Sequence, residues 1–253
     1  IAPAQADEQD TLNIHFSETF TRDNNLFRLA DGVDPMTVGL PKSSRSDNIR
    51  TDSLWITADK RYSLQRFHLG ARYDNYNFSN YSFLDYNTKN IDGRWDWSLT
   101  PHITGLLAAD RVQSFNNFAD YRTYIRSVRT TDSIRGNAEF GSIGALRFVV
   151  GANQSKTTNS EAIQEDNDNR SRSAHGGLRY VTNAGNSVGY LHRRYRIEWL
   201  NRNLDAVNLY DTEADQTDHE INAKWNFADQ VALEGAIARI ARTHEHFEER
   251  DFT

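Results

Sequence analysis

Charged side chains recur at every second position in many stretches of this chain, with apolar residues between them. In the segment 66–73, Arg66, His68 and Arg72 alternate with apolar side chains. A guanidinium binds a carboxylate through two parallel hydrogen bonds, so such arginines suit uronate groups as well as protein carboxylates. The charged residues expected to share one surface are Arg66, His68, Arg72, Arg94, Asp96, Arg147, Arg179, Glu220, Lys224 and Glu234. This pattern predicts cross-strand ion pairs that stiffen the structure, a polar track for sugars, or both.

The segment Tyr73–Tyr86 is the most aromatic part of the chain, and asparagines are interleaved with its rings. Aromatic rings pack on the C–H faces of sugars while amides bond the hydroxyls, so the segment predicts a glycan-contacting patch. The rings expected to make these contacts are Tyr73, Tyr76, Tyr81, Phe83 and Tyr86. The same composition suits an interfacial girdle combined with loop packing, and that alternative stays open.

Motifs for other chemistries do not stand out in the sequence. The 253 residues contain no cysteine, which removes disulfides, thiolate catalysis and zinc–thiolate sites. There is no glycine-rich phosphate loop, and the acidic segments lack the glycine-centred spacing of a calcium loop. A formal net charge of −6 without basic blocks is a poor basis for sequence-independent nucleic-acid binding. We therefore expect no enzyme activity, no cofactor, no metal and no nucleic-acid partner.

The elements that position the charged residues are predicted to be β-strands, because apolar and polar residues alternate with a period of two. Leu146, Phe148 and Val150 show the alternation in one segment, and Ile221–Phe227 shows it in another. The mean hydropathy of −0.75, with no long apolar run, excludes a helical membrane bundle. Low mean hydropathy is compatible with a membrane barrel, in which only alternate residues face lipid.

Short turns and long polar segments alternate between the predicted strands. Short turns are expected near 59–61, 100–102, 141–142, 183–186 and 228–230, and long segments at 23–47, 79–89, 115–124, 157–170 and 201–217. Long strands with this asymmetry are typical of outer-membrane barrels. The predicted fold is therefore an all-β, antiparallel up-and-down transmembrane β-barrel, whose charged alternate positions line a lumen. A soluble β-sandwich is the alternative, although its strands are usually shorter.

Aromatic residues near the strand ends predict girdles at the two membrane interfaces. These residues are Trp55, Tyr62, Trp95, Trp97, Tyr180, Trp199, Trp225 and Phe227. The one break in the alternation, at Arg193-Arg194, predicts a bulge or a miscounted strand around Arg193–Trp199.

The two ends of the chain carry their own expectations. Residues 1–10 predict a remnant of an export-signal cleavage site or a periplasmic tail, because Ala4-Gln5-Ala6 precedes an acidic stretch. The barrel domain is expected over residues 11–253. Bacterial barrels have an even number of strands. Because the alternating runs number about eleven, which is odd, we expect about 11–12 strands in this chain, an incomplete C-terminus, and about 16–18 strands in the intact protein.

Several segments resemble one known family. They include Asn24-Asn25-Leu26-Phe27-Arg28-Leu29, Tyr62-Ser63-Leu64-Gln65-Arg66-Phe67, Gly93-Arg94-Trp95-Asp96-Trp97 and Asn117-Phe118-Ala119-Asp120-Tyr121-Arg122. Over residues 10–130 the chain resembles the EpsL-type outer-membrane proteins of exopolysaccharide biosynthesis operons, which are β-barrel porins of Gram-negative bacteria. The resemblance implies the bacterial outer membrane as location and passage of a secreted exopolysaccharide as role. It carries over no catalytic residue.

The expected partners are outer-membrane lipid and lipopolysaccharide, the exopolysaccharide itself, and periplasmic export components. Two other functions stay open for the same barrel. One is a general porin for small solutes, and the other is a structural or adhesive barrel whose loops contact glycans.

Overall fold

The chain folds into one antiparallel β-sheet in which every strand pairs with the next along the sequence. The computed structural model describes residues 11–119, 123–141, 146–202, 210–228, 231–244 and 250–252. Its strands are β1 (Thr11–Asp23), β2 (Asp47–Tyr62), β3 (Gln65–Phe78), β4 (Tyr86–Thr100), β5 (Ile103–Phe115), β6 (Val128–Gly141), β7 (Leu146–Asn159), β8 (Asn169–Val181), β9 (Ser187–Trp199), β10 (Glu213–Ala228), β11 (Val231–His244) and β12 (Arg250–Phe252). The predicted all-β, up-and-down architecture is confirmed. The predicted export remnant at 1–10 lies outside the described residues.

The sheet has two open edges within the described part of the chain. There, β1 pairs with β2 alone and β12 with β11 alone. Short 3-10 helices occur in three loops, at Pro35–Val38, Ser82–Leu84 and Ala162–Asn167. Among the described residues, no helix has the length and apolar character needed to cross a membrane.

Strands β1–β11 are long, with 13 to 16 residues each. Among the described connections, long loops lie at one end of the sheet, the long-loop end, and tight turns lie at the other, the short-turn end. The predicted turns at 100–102 and 183–186 are confirmed. The turn predicted at 59–61 is wrong, because Asp59–Tyr62 still pair with β3 and the chain reverses at Ser63-Leu64, where Ser63 has a φ of 55°.

The irregularity predicted around Arg193–Trp199 is also wrong. Strand β9 pairs with β8 and β10 in unbroken register through this segment. Arg193 points to the side of the sheet that carries the polar residues. Arg194 points to the opposite side, but it lies nearer the long loops than the apolar side chains there. Neither arginine therefore interrupts the strand. The register shifts instead between Ser98 and Thr100 and between Asn226 and Ala228, beside two short turns.

The pairing register gives the sheet an apolar face and a polar face. Large side chains on the apolar face form a band across β1–β11, here called the apolar belt. It contains Leu12, Ile14, Phe16, Leu54, Ile56, Phe67, Leu69, Ile91, Trp95, Leu107, Ile134, Phe140, Phe148, Val150, Leu178, Tyr190, Ile221, Trp225, Leu233 and Ile237, all of them exposed. Apolar side chains of this number are normally covered by another layer. Within the described residues no such layer exists.

The apolar belt runs obliquely across the hydrogen-bonded ladder. Ile14, Ile56, Ala71 and Ile91 form one row of directly paired residues within it. The same row continues through Arg111, Asp132, Lys156 and Arg170 on β5–β8. On those strands the belt lies nearer the short turns. Strands that are tilted against the plane of the belt produce this offset, and closing a barrel requires such tilt and stagger.

Aromatic residues of the apolar face gather towards the short-turn end. Tyr62, Trp95, Trp97, Tyr180, Trp225 and Phe227 have this placement, as predicted for one girdle. Trp55 and Trp199 belong to the polar face by register, so the prediction for these two is wrong. Both residues have odd numbers, and on their strands, β2 and β9, the even-numbered residues lie on the apolar face.

The protein's own buried core lies in the loops. A group of buried side chains, here called the loop cluster, consists of Leu26, Phe27, Leu29, Leu40, Phe78, Tyr81, Leu84 and Phe118. They come mainly from the β1–β2, β3–β4 and β5–β6 loops, so three long loops pack on one another. Tyr76 and Tyr86 pack against them from the polar face. The loop cluster therefore stands over the long-loop end of that face.

Candidate functional site

All ten charged residues predicted to share one surface do lie on the polar face. The register gives Arg66, His68, Arg72, Arg94, Asp96, Arg147, Arg179, Glu220, Lys224 and Glu234 the parity opposite to the apolar belt. The period-two alternation of each strand is enough to predict which face these residues share. A one-residue shift in register would move every side chain of the strand to the other face. Whether this face lines a lumen stays a prediction.

Most of these charges are paired with neighbours on the same face. Arg94 donates two hydrogen bonds to Asp96, at 2.8 and 2.7 Å. Glu139 accepts from Arg147 at 2.6 Å and from Arg179 at 3.1 Å. The interpretation as cross-strand ion pairs thus holds for Glu139 with its two arginines, whereas Arg94 and Asp96 pair within β4. Each exposed ion pair contributes little to the free energy of folding. The main effect of these pairs is to make this face of the sheet polar.

Further charged side chains of the polar face also have close polar partners. His68 lies between two carboxylates, with Nδ1 2.8 Å from Asp59 and Nε2 3.2 Å from Asp92. Lys224 contacts Glu234 at 2.7 Å. Glu220 accepts from the amide of Asn222 at 3.0 Å.

Arg72 contacts a residue that the sequence reasoning missed. Asp74, which is buried, accepts from the Arg72 guanidinium at 2.8 and 2.9 Å. Ser53 and Thr88, from the two flanking strands, donate to the same carboxylate at 2.5 and 3.2 Å. A signal for this role was available, because Asp74 shares the parity of Arg72 and lies two positions along the strand.

The charged side chains border two adjoining clefts on the polar face. One, of about 540 Å³, is lined by Arg94, Asp96, Glu139 and Arg179 among others. The other, of about 640 Å³, lies at the short-turn end beside His68 and Asp59. Arg66 lines both. The structure therefore brings together residues from β2–β6 and β8 that are far apart in sequence.

Arg66 differs from the other arginines of these clefts. Among the described residues it has no ion-pair partner within contact distance, although Asp96 is its directly paired neighbour on β4. Asp96 is held by Arg94 instead. A guanidinium that faces a cleft and has no protein carboxylate as partner can bind the carboxylate of a ligand, because its planar N–H donors match that group.

The five aromatic residues predicted to contact glycans do not form one patch. Tyr73 lies on the apolar face opposite Leu54. Tyr81 is fully buried, at 0% exposure, in the loop cluster. Phe83 is exposed in the β3–β4 loop. The prediction of one continuous patch is therefore wrong, because the segment crosses from strand to loop and its alternate residues diverge.

Tyr76 and Tyr86 are the two rings of that set that stay together. They stack on the polar face with centroids 4.3 Å apart and planes 5° apart. Both line a cavity of about 290 Å³ under the loop cluster, together with Asp23, Arg28 and Asn117. Arg28 lies 2.8 Å from Asp23, and this ion pair raises the pKa of the Arg28 guanidinium. The cavity thus combines aromatic walls with charged and amide groups.

A second set of loop contacts is polar and was not predicted. The amide nitrogen of Asn116 lies 3.0, 2.9 and 2.7 Å from side-chain oxygens of Ser127, Asn159 and Gln164, so these three acceptors share its two N–H donors. Asp168 accepts from the backbone and side-chain nitrogens of Asn159 at 2.7 and 2.8 Å. All of these residues are buried. They join the β5–β6 and β7–β8 loops, and no pattern within either loop indicates the contact. Among the described residues, no group of acidic and histidine side chains could hold a metal.

Comparison with solved structures finds proteins similar to this chain. The chain is similar to the crystal structure of the β domain of the Bordetella autotransporter BrkA, with 12% sequence identity, a TM-score of 0.34 and 96% of each chain covered. A likeness at this level assigns neither a location nor an activity to the chain. No family model matches the chain, and no curated protein does.

Proposed function

We propose that this chain is the wall of an outer-membrane β-barrel, with the apolar belt against hydrocarbon and the polar face towards an aqueous lumen. The observation that carries the proposal is the oblique course of the belt. A membrane is a flat slab, so tilted strands meet it at different rows of their ladder, and each strand turns apolar only where it crosses. In a soluble sandwich a second layer would cover side chains such as Phe16, which is 75% exposed.

The pairing pattern supports the same proposal. Backbone groups inside a bilayer must be bonded within the protein, which leaves helices and closed barrels as spanning structures. Strands β2–β10 are bonded on both sides along nearly their whole length. The belt bears no charged side chain, whereas the opposite face of the same strands bears many.

We propose further that the lumen passes a secreted exopolysaccharide, as the resemblance to the EpsL-type family implies. The chemistry of the polar face supports this cargo. Its arginines, carboxylates and amides offer donors and acceptors to sugar hydroxyls, and Arg66 offers a guanidinium to a uronate. Periplasmic export components would hand the polymer to the barrel. A small-solute porin would use the same aqueous lumen, so the cargo is what separates the two functions.

The experiment that tests this function is polymer release from a strain lacking the gene, complemented with the intact protein or with variants. We expect extracellular polymer to fall in the deletion strain and to return with the wild type. Arg66→Gln is expected to lower release, whereas Arg50→Gln, which removes an equal charge from the apolar face, is not.

Normal release without the protein would overturn the export role and leave the membrane barrel untouched. Swelling of protein-containing liposomes in small sugars measures the alternative directly. Rapid swelling together with unchanged polymer release would favour the general porin. Absence of conductance, with glycan binding that depends on the loops, would favour an adhesive barrel.

A further inference from the structure

On strands β8–β11 the two borders of the apolar belt differ in chemistry. Towards the short turns the belt ends in aromatic rings, including Tyr180, Trp225 and Phe227. Towards the long loops it ends in basic side chains. These are Arg172, His192, Arg194, His219 and Arg239, here called the basic patch.

The register makes the basic patch one continuous surface. His192, His219 and Arg239 are directly paired in a single row across β9, β10 and β11. The rings of His192 and His219 lie 4.8 Å apart. The row next to it toward the short turns, Tyr190, Ile221 and Ile237, belongs to the apolar belt. A molecule on this surface would therefore meet apolar and basic side chains two residues apart along each strand.

Carboxylates near the basic patch are engaged by Arg196, and one of them, Glu198, also lies 3.8 Å from Arg172 of the patch. Arg196, one step further toward the loops, contacts Glu198 at 3.4 Å, Asp215 at 3.7 Å and also Glu213. Arg194 makes no ion pair or hydrogen bond with any residue in the described part of the chain. Arg172 stands directly opposite Arg196, an arrangement of like charges that the Glu198 carboxylate, in contact with both guanidinium groups, offsets.

We propose that the basic patch binds the phosphorylated headgroup of a lipid in the leaflet on the long-loop side. This inference rests on the proposed membrane barrel. The arginines would hold phosphate oxygens through paired hydrogen bonds, while the lipid chains lie along the apolar belt. Tyr190 would border the site, because its hydroxyl lies 2.7 Å from Nδ1 of His219 and fixes that ring. Charge complementarity, together with the adjacent belt, selects an anionic lipid over a soluble anion.

The test compares two double variants of the full chain in detergent micelles. R194Q/R239Q removes two charges from the basic patch, and R193Q/R242Q removes two from the polar face of the same strands. The probe is diphosphoryl lipid A, against its dephosphorylated form and against inorganic phosphate. Binding is measured by native mass spectrometry and by titration.

We expect R194Q/R239Q to bind the diphosphoryl lipid about thirtyfold more weakly than wild type, from about 1 kcal/mol per basic residue near an anionic surface. The R193Q/R242Q control is expected to bind as wild type does. Equal losses in both variants, or no loss in either, would overturn the proposal. So would equal binding of the dephosphorylated lipid, or displacement by inorganic phosphate alone.

A separate assay distinguishes this failure from failure of the membrane proposal. Wild type and both variants are reconstituted into vesicles of neutral phosphatidylcholine and floated on a density gradient. Flotation without any preference for phosphorylated lipid rejects the lipid site and keeps the barrel. Absence of flotation by all three chains rejects the barrel.

Discussion

The apolar belt and the loop cluster contain the same types of side chain in opposite surroundings. Phe16 in the belt is 75% exposed, whereas Phe27 in the loop cluster is 1% exposed. Phe27 touches the rings of Tyr81, Phe118 and Tyr124, with centroids 4.7, 4.9 and 5.7 Å away. The belt side chains stand in a single layer with open space beyond them.

This difference separates two sources of stability. The loop cluster is stabilised by burial of protein against protein, so its contribution is present in any solvent that keeps the chain folded. The belt is stabilised only if an apolar phase covers it. Substitutions in the two regions should therefore respond differently to the medium, and that contrast is what the following predictions test.

The largest effect is expected for Phe27→Ala. Removing a fully buried ring that three other rings surround leaves a cavity, at a cost of about 3–5 kcal/mol. The loss should be the same in detergent and in bilayers. Unfolding by denaturant, with hydrogen exchange across residues 24–46, measures it.

The control for this prediction is Phe83→Ala. Phe83 lies 6.0 Å from Tyr81 between ring centroids, yet it is exposed. We expect a change of less than about 1 kcal/mol, because surface truncations leave no cavity. A loss for Phe83→Ala as large as that for Phe27→Ala would contradict the assignment of the loop cluster as the buried core.

The next largest effect is expected for Val150→Arg in lipid. Val150 lies in the belt, and an arginine near the bilayer midplane of a barrel costs about 2–4 kcal/mol. Val149→Arg is a matched control, because it is the same substitution one residue away on the polar face, beside the cleft lined by Glu139 and Arg179. Equal destabilisation of the two variants in bilayers would argue against a lipid-facing belt.

The same contrast explains which features the sequence could predict. Alternation along each strand is a local property, so the polar parity of Arg66 and Glu220 and the apolar parity of Ile14 follow from neighbouring residues alone. The length of the strands and the order of short turns and long loops are local in the same sense.

Contacts between loops are not local, and they were missed. Phe27, Tyr81 and Phe118 belong to three loops with no shared periodicity, so nothing in the sequence shows that they meet. Tyr81 was expected to contact glycans for that reason, although the fold buries it. Asn116 and Gln164 form their hydrogen bond across two loops, which likewise leaves no pattern along the chain.

An intermediate effect is expected for Phe16→Ala, the counterpart of Phe27→Ala in the belt. Lipid chains can fill the space that the ring leaves, so only the transfer of the ring from water is lost, about 1.5–3 kcal/mol. The stability is measured by denaturant unfolding from bilayers. If Phe16→Ala matched Phe27→Ala in cost, the belt would be packed against protein, and the contrast between the two regions would disappear.

The smallest effect is expected for Tyr81→Phe. The buried Tyr81 hydroxyl shares its one proton between the carbonyl oxygens of Lys42, at 3.0 Å, and Ser44. Its removal should cost about 0.5–1.5 kcal/mol, because the rest of the ring keeps its packing. The loss should be confined to the loop cluster and leave the sheet unchanged, as local hydrogen exchange can measure.

This hydroxyl also gives the loop cluster a dependence on pH. Burial of the Tyr81 phenol, together with the nearby carboxylates of Asp47 and Asp34, raises its pKa above the ordinary value. The folded loop therefore binds this proton more tightly than the unfolded chain does. Its contribution to stability is complete below about pH 10 and is lost as the pH rises through the raised pKa. Hydrogen exchange of the loop at alkaline pH should show this loss in wild type and not in Tyr81→Phe, while the belt, which contains no such buried phenol, should keep its stability in both.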